Sequence, residues 1–373
     1  MNPPNGSDIY IGLMSGTSLD GVDIAIVDFS GQSLSTLYTG TTAYPAELRQ
    51  RLRQLTRSQT TTLDDFYRLD AELSEIYAGV VGDALDAVAL TPDSIAALGC
   101  HGQTIRHRPD ASPAYTAQIG DPGRLAILTG IRTVADFRRK DVALGGQGAP
   151  LAPAFHRFLL RSEDENRAVV NIGGIANVTI LPANTHEPTL GFDTGPGNTF
   201  LDFWIEENRD ERFDGNGDWA RGGKIIADLL QNLLNNESYF RLPPPKSTGT
   251  EYFNPDWLRP QLSGDQSAQN VQATLLELSA STIATAIRDL SIGIDRCFVC
   301  GGGAHNGFLL ERLEARLDGI PVATTQTLGI DPDFVEASAF AWLARCRIQE
   351  KPVDLTEITG ASRNTILGAV YTQ

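Results

Sequence analysis

The spacing of apolar residues changes along this chain, and each change predicts an element. Residues 9–14 form an unbroken apolar run of strand length, Ile-Tyr-Ile-Gly-Leu-Met. Residues 22–29 alternate: Val22, Ile24, Ile26 and Asp28 face one way, Asp23, Ala25 and Val27 the other. Between them, residues 15–21 carry two Gly, two Ser, a Thr and an Asp. Strand, small polar turn and alternating strand predict a hairpin. A further strand is expected over 33–42, then a helix opening at Pro45 with Leu48, Leu52 and Leu55 on one face. Over 63–90, Phe66, Leu69, Leu73, Ile76 and Val80 recur at helical spacing, and the acidic residues among them read as a solvated face. A short buried strand over 94–100 ends on His101-Gly-Gln103-Thr-Ile-Arg106-His107. After a turn at 118–122, a helix over 123–129 leads to a strand over 132–135, which ends on Asp136-Phe-Arg138-Arg139-Lys-Asp141. A glycine-rich stretch at 145–150 then opens a helix through Phe155 and His156.

The opening pattern returns once. Residues 168–181, AVVNIGGIANVTIL, are again apolar strand, Gly-Gly turn and apolar strand. Two such units suggest two related domains. A short strand at 190–192 precedes Asp193-Thr-Gly-Pro-Gly-Asn, which turns into a helix over 199–208. Helices are expected over 218–235 and 270–292, separated by a rigid, then flexible, loop at 243–250 that precedes Phe253-Asn254 and reads as a candidate specificity or lid segment. The buried strand 296–300 ends on Gly301-Gly302-Gly303-Ala-His-Asn306, followed by a helix with Phe308, Leu309, Leu313 and Leu317. Residues 333–346 predict another helix, and the tail carries one apolar run at 366–371.

Composition removes several classes of function. A net charge of −16 leaves no cationic face for a nucleic-acid backbone. It does not exclude one nucleotide held by backbone N–H groups. No run of about 18 apolar residues is present, so no transmembrane helix is expected. Residues 1–8 lack the basic and apolar regions of a signal peptide. Four cysteines are too few for a disulfide scaffold and fit a cytoplasmic protein. Cys297-Phe-Val-Cys300 has metal or redox spacing, but without a second pair it reads as two core cysteines in a strand.

The candidate chemistry sits in the turns. Glycine lets backbone approach a ligand, and successive N–H groups form anion nests, so residues 15–21 are either a phosphate loop or a plain Gly-rich hairpin. Their hydroxyls can donate to phosphate, and Asp20 or Asp23 can meet a hydrated magnesium ion. The Asp136–Arg138–Arg139–Asp141 cluster is either a surface salt-bridge knot or a site for an anionic, hydroxyl-rich substrate. Asp193 is either a turn-stabilising residue or a working carboxylate. Strand, three glycines and helix at 296–308 is a nucleotide-binding pattern without dinucleotide or Walker spacing.

Three glycine segments in this order, residues 16–21, 173–174 and 301–303, resemble the sugar kinase, Hsp70 and actin superfamily. A closer resemblance is carried by MSGTSLDGVD from Met14, GCHGQTIRH from Gly99, VADFRRKDVALGGQGAPLAPAFH from Val134, NIGGIANVT from Asn171, FDTGPGN from Phe192 and CGGGAHN from Cys300. Together these resemble the anhydro-N-acetylmuramic acid kinase family across nearly the whole chain.

That resemblance implies an α/β fold of two actin-like ATPase (ribonuclease H-like) lobes with an inter-lobe cleft that closes on its ligands. The lobes are expected at 1–135 with the tail from about 355, and at 136–354. It implies a kinase that uses ATP and Mg²⁺ to phosphorylate 1,6-anhydro-N-acetylmuramic acid while water opens the anhydro ring, a step of peptidoglycan recycling. Asp193 matches the family's catalytic base. Gly16, Thr17, Ser18, Leu19, Asp20, Gly21, Val22 and Asp23, with Gly173 and Gly174, would hold the phosphates. Gly301, Gly302, Gly303 and Asn306 would flank adenosine. Ser15, His101, Gln103, Arg106, Asp136, Arg138 and Glu336 are the implied sugar contacts, and Asp20 and Asp23 would reach the metal through water. A homodimer is implied as well, with no nucleic-acid or membrane partner. The competing expectations are a kinase for a free amino sugar and a non-enzymatic ATP-driven clamp. A metal-dependent carbamoyl-transfer relative would need an H-x-x-x-H pair, and His101 and His107 are spaced too widely for it.

Overall fold

The computed structural model describes residues 7–16, 18–31, 34–58 and 60–373, which leaves Thr17 and Ser33 outside the described residues. The chain runs β1 (Ile9–Ser15), β2 (Gly21–Asp28), β3 (Ser35–Ala43), α1 (Ala46–Arg57), α2 (Leu63–Ala87), β4 (Ala97–Arg108), β5 (Tyr115–Ile119), α3 (Pro122–Thr129), β6 (Thr133–Ala135), α4 (Arg139–Ala143) and α5 (Ala152–Leu160). It continues β7 (Arg167–Ile172), β8 (Ile175–Leu181), β9 (Leu190–Pro196), α6 (Thr199–Arg209), α7 (Asp218–Arg221), α8 (Ala227–Asn236), α9 (Pro255–Leu258), α10 (Ala268–Arg288), β10 (Arg296–Cys300), α11 (Gly307–Arg316) and β11 (Val322–Thr324). It ends with α12 (Val335–Ile348), α13 (Thr356–Thr359) and β12 (Ala369–Tyr371).

Among the described residues the strands form two sheets, ordered β12-β6-β4-β1-β2-β3, with β5 also on β4, and β11-β10-β7-β8-β9. In the first, β1, β2 and β3 form an antiparallel meander, and β4 and β6 continue it in parallel beyond β1. The second repeats this: β7, β8 and β9 meander, and β10 and β11 follow in parallel beyond β7. The repeat read from two hairpins therefore extends to five strands in each sheet. This is the α/β, ribonuclease H-like order of the actin-like ATPases.

Each sheet has its own core. Ile11, Ile24, Leu73, Tyr77, Leu98 and Leu125 are buried in the first. Val170, Val178, Phe192, Leu275, Ile283 and Val299 are buried in the second. Cys297 and Cys300 are both buried in β10.

The chain divides into one compact unit of residues 1–155 and 334–373 and another of residues 156–333. The expected divisions lay at 135/136 and 354/355. The C-terminal difference follows from α12, which packs on β1 and β4. Gly12 and Gly99 make the contact possible: a Cβ on Gly12 would lie 1.8 Å from the Ala337 carbonyl oxygen, and one on Gly99 2.1 Å from that of Phe340. No side chain fits at either place, so the helix lies directly on the strand backbones. β12 then pairs with β6, Val370 opposite Val134, and Arg345 grips Asp8 with two bonds of 2.6 and 3.0 Å.

Three local expectations are corrected. The cluster from His101 to His107 does not follow a strand; it lies within β4, which leaves its parallel partner β1 near Gln103 and continues antiparallel to β5. Gly102, at φ 74°, absorbs that change of partner. Asp193 likewise lies inside β9, opposite Asn177, and not in a turn beyond it. The helix expected over 218–235 is interrupted between α7 and α8, because Gly222 and Gly223 lie against Gln269 of α10.

Candidate functional site

The turn between β1 and β2 is held by side chains. The Ser15 hydroxyl, 2% exposed, donates to Gln103 Oε1 at 2.5 Å and lies 2.6 Å from the Tyr44 hydroxyl. Gln103 Nε2 in turn donates to the Gly16 carbonyl at 3.1 Å. Burial pushes the Tyr44 phenol up to about 12, so it stays a neutral partner. At the far end, Gly21 passes so near β3 that a Cβ would lie 2.2 Å from the Thr42 carbonyl. Asp20 pairs with Arg49 at 2.5 Å, and Asp23 accepts the Thr41 hydroxyl at 2.6 Å. Leu19 takes φ 59° and buries its side chain. Ser15 and Gln103 thus position the turn, and the sequence missed Tyr44 as the partner of Ser15 and Thr41 as the partner of Asp23. Arg106 is turned elsewhere: it donates to the carbonyls of Leu55, Thr56 and Ser58, closing the C-terminal end of α1.

Charge gathers around Arg138. Its Nε donates to His101 Nε2 at 3.0 Å and an Nη to the Gly148 carbonyl at 2.7 Å. Burial lowers the guanidinium to about 10, while Glu336 and Asp141 oppose that fall, so it remains a cation. Burial and the Arg138 charge hold His101 well below the usual imidazole range, and its neutral ring packs on Phe340. Glu336 is raised by burial, against the pull of Arg138 and with a further push from Asp23. The structure therefore brings Asp23, His101, Arg138 and Glu336 into one electrostatic group. Asp141, from the charged cluster read in the sequence, holds the glycine-rich stretch: its Oδ2 accepts Gly148 N–H and its Oδ1 the Thr359 hydroxyl, both at 2.7 Å. Asp136 stands apart, at φ 60° and 3.6 Å from Arg139, beside a cavity of about 80 Å³. That volume suits a few waters and not a sugar.

In the second unit two glycine turns meet. The Gly173 and Gly174 carbonyls accept N–H groups of Gly197, Asn198 and Thr199 at 2.8–3.1 Å, so this turn rests on the start of α6. Gly301, at φ 77°, lies where a Cβ would be 2.2 Å from Asn171 Oδ1, and one on Gly303 would be 2.4 Å from Ile172 Cγ2. Ile172 and Asn171 thus join the turn at 173–174 to the one at 301–303. The Asn306 side chain caps α11, accepting from Leu309 N–H at 2.9 Å.

Asp193 is 8% exposed, and among the described residues the bonds to its carboxylate fall on Oδ2. Ser247 Oγ donates at 3.0 Å and Thr248 N–H at 2.9 Å. Burial lifts its pKa to about 6; those two donors and Lys246 restrain the rise, and Glu251 adds to it. Asn177, directly opposite on β8, buries an Oδ1 that has no partner among the described residues. Lys246, Ser247 and Thr248 lie in the loop expected as a specificity or lid segment, but their contact with Asp193 was not legible because a polar loop has no periodicity.

The residues fit a nucleotide. Among the described residues a Cβ on Gly16, Gly173 or Gly302 would meet nothing closer than 3.6 Å, which leaves room for a phosphate. Among the described residues no group of three or more His, Cys, Asp or Glu could hold a metal. No helix among the described residues is long and apolar enough to cross a membrane.

The family model described as anhydro-N-acetylmuramic acid kinase matches residues 8–373. An anhydro-N-acetylmuramic acid kinase of Coxiella burnetii is 47% identical over 97% of each chain. Kinases of the same name from Nitrosomonas europaea and Pasteurella multocida are also 47% identical, over 97% of this chain and 99% and 96% of theirs. At that identity and coverage, the chain belongs to the anhydro-N-acetylmuramic acid kinase family.

Proposed function

We infer that this carbohydrate kinase uses ATP to phosphorylate 1,6-anhydro-N-acetylmuramic acid as water opens the anhydro ring, giving N-acetylmuramic acid 6-phosphate and ADP in peptidoglycan recycling. The observation that supports the chemistry best is Asp193, a buried carboxylate poised near pH 6 with one oxygen already held. In this reading Oδ1 of Asp193 removes a proton from the water that attacks the anomeric carbon. The C1–O6 bond breaks, its electron pair stays on O6, and O6 takes the γ-phosphoryl in line while ADP leaves.

The turns at 16–23 and 173–174 supply phosphate N–H donors, and Gly301, Gly302, Gly303 and Asn306 flank adenosine. Arg138, kept cationic, suits the lactyl carboxylate, while neutral His101 and half-buried Glu336 suit hydroxyl groups. Ser15 and Gln103 act through the turn they hold. Magnesium on the phosphates would neutralise their charge, with Asp20 and Asp23 meeting it only through water. We take the enzyme to work in the cytoplasm as a homodimer.

The test is the reaction in ¹⁸O-water. Label at the anomeric hydroxyl of the product is expected; its absence would replace ring opening with transfer to a free sugar hydroxyl. Asp193→Asn is expected to fold and bind ATP yet lose at least about 10³-fold in kcat, while the parent's kcat/KM falls as pH drops through about 6.

A further inference from the structure

Asp193 is fastened by one stretch of chain on three sides. Its N–H donates to the Lys246 carbonyl at 3.1 Å, its carbonyl accepts the Tyr239 hydroxyl at 2.9 Å, and its Oδ2 takes Ser247 Oγ and Thr248 N–H. β9 is an edge strand of its sheet, so the polar backbone of residue 193 is available to such a neighbour. The stretch is itself tied down by a carboxylate that the reaction does not use. Glu237, 5% exposed, accepts Tyr239 N–H at 2.8 Å, the Tyr252 hydroxyl at 3.0 Å and Trp257 Nε1 at 2.8 Å.

Between those attachments the rings interlock. Phe240 stacks on Phe253 at 5.6 Å and 2°, and Phe253 meets Tyr239 and Trp257 edge-on. Gly195, two residues beyond Asp193, makes room for Phe240: a Cβ there would lie 2.7 Å from its ring. Lys246 Nζ donates back to the Tyr239 and Phe240 carbonyls, which keeps the next two residues aimed at Asp193.

A carboxylate on a strand can rotate about its last torsion and exchange its oxygens. Two donors on Oδ2 end that exchange and leave Oδ1 as the oxygen that faces a reactant. We propose that residues 237–257 are a positioning clamp for the base, in which Ser247 selects the working oxygen of Asp193 and Glu237 anchors the clamp. The inference rests on Asp193 being the base. Its titration supports the geometry: the groups acting on Asp193 are the Ser247 and Thr248 donors, Lys246, and Glu251, with Tyr239 neutral beside it. Removing a donor from the ionised form must move the acid limb upward in pH.

The full-length enzyme carrying Ser247→Ala is expected to keep its KM for ATP within about twofold. Its kcat should fall about tenfold and the acid limb of kcat/KM should rise by about one pH unit, the scale of one hydrogen bond to a charged group. Ser247→Thr, which restores a hydroxyl, should return both. Tyr252→Phe keeps the ring and removes one donor to Glu237; it should shift the limb in the same direction by less. An unmoved limb in Ser247→Ala, whatever happens to its melting temperature or KM, overturns the proposal. Asp193→Asn is measured beside it. If that variant is nearly inactive while the Ser247→Ala limb stays put, only the clamp fails; if it keeps parental turnover, the base assignment fails and takes the clamp with it.

Discussion

The two glycine hairpins share a topology and differ in what shapes them. In the first, the five-residue connection from β1 to β2 depends on side chains: the Ser15–Gln103–Tyr44 hydrogen bonds at one end, Asp20–Arg49 and Asp23–Thr41 at the other. In the second, the turn after Ile172 is held through backbone carbonyls by the N–H groups that open α6. A long loop has more torsions to fix, so it recruits buried hydroxyls and amides, while a two-glycine turn can be set by docking alone. Equivalent places in a duplicated fold are thus sensitive to different substitutions.

The contrast can be broken most strongly on the second side. Gly197→Ala would put a Cβ 2.4 Å from the Gly173 oxygen, with backbone crowding on both sides. It is expected to cost about 3 kcal/mol and to weaken ATP binding, checked by urea unfolding and nucleotide titration. Ser15→Ala tests the first side by leaving Gln103 and Tyr44 without their shared hydroxyl. About 2 kcal/mol of stability is expected to go, with a raised KM for ATP; an unchanged KM would show that the loop keeps its shape unaided. Arg49→Ala is the mildest. Its partner Asp20 is half exposed, so the loss should be below about 1 kcal/mol and should shrink further in high salt.

These particulars also show how far the sequence could be read. Alternation in residues 22–29 and the apolar strands flanking Gly173–Gly174 announced both hairpins, and both return strands are largely buried in their cores. The reach of β4 was hidden, since a strand that changes partners midway looks like a strand followed by a polar loop. Asp193 drew notice as a carboxylate, but its place inside β9 was masked by the Gly and Pro that follow it. Ser247 and Thr248 carried no pattern, because what they hold lies 54 and 55 residues away in the chain. The return of α12 was equally silent: the notches at Gly12 and Gly99 look, in sequence, like gaps in apolar runs.

That return has a consequence for synthesis. The second unit is one uninterrupted stretch, and all of it has been made before residue 334 emerges. The first unit lacks α12 and its β12 edge until residues 335–371 have followed. A nascent chain can therefore complete the unit of residues 156–333 first, and loss of residues 335–371 falls on the unit that contains β1.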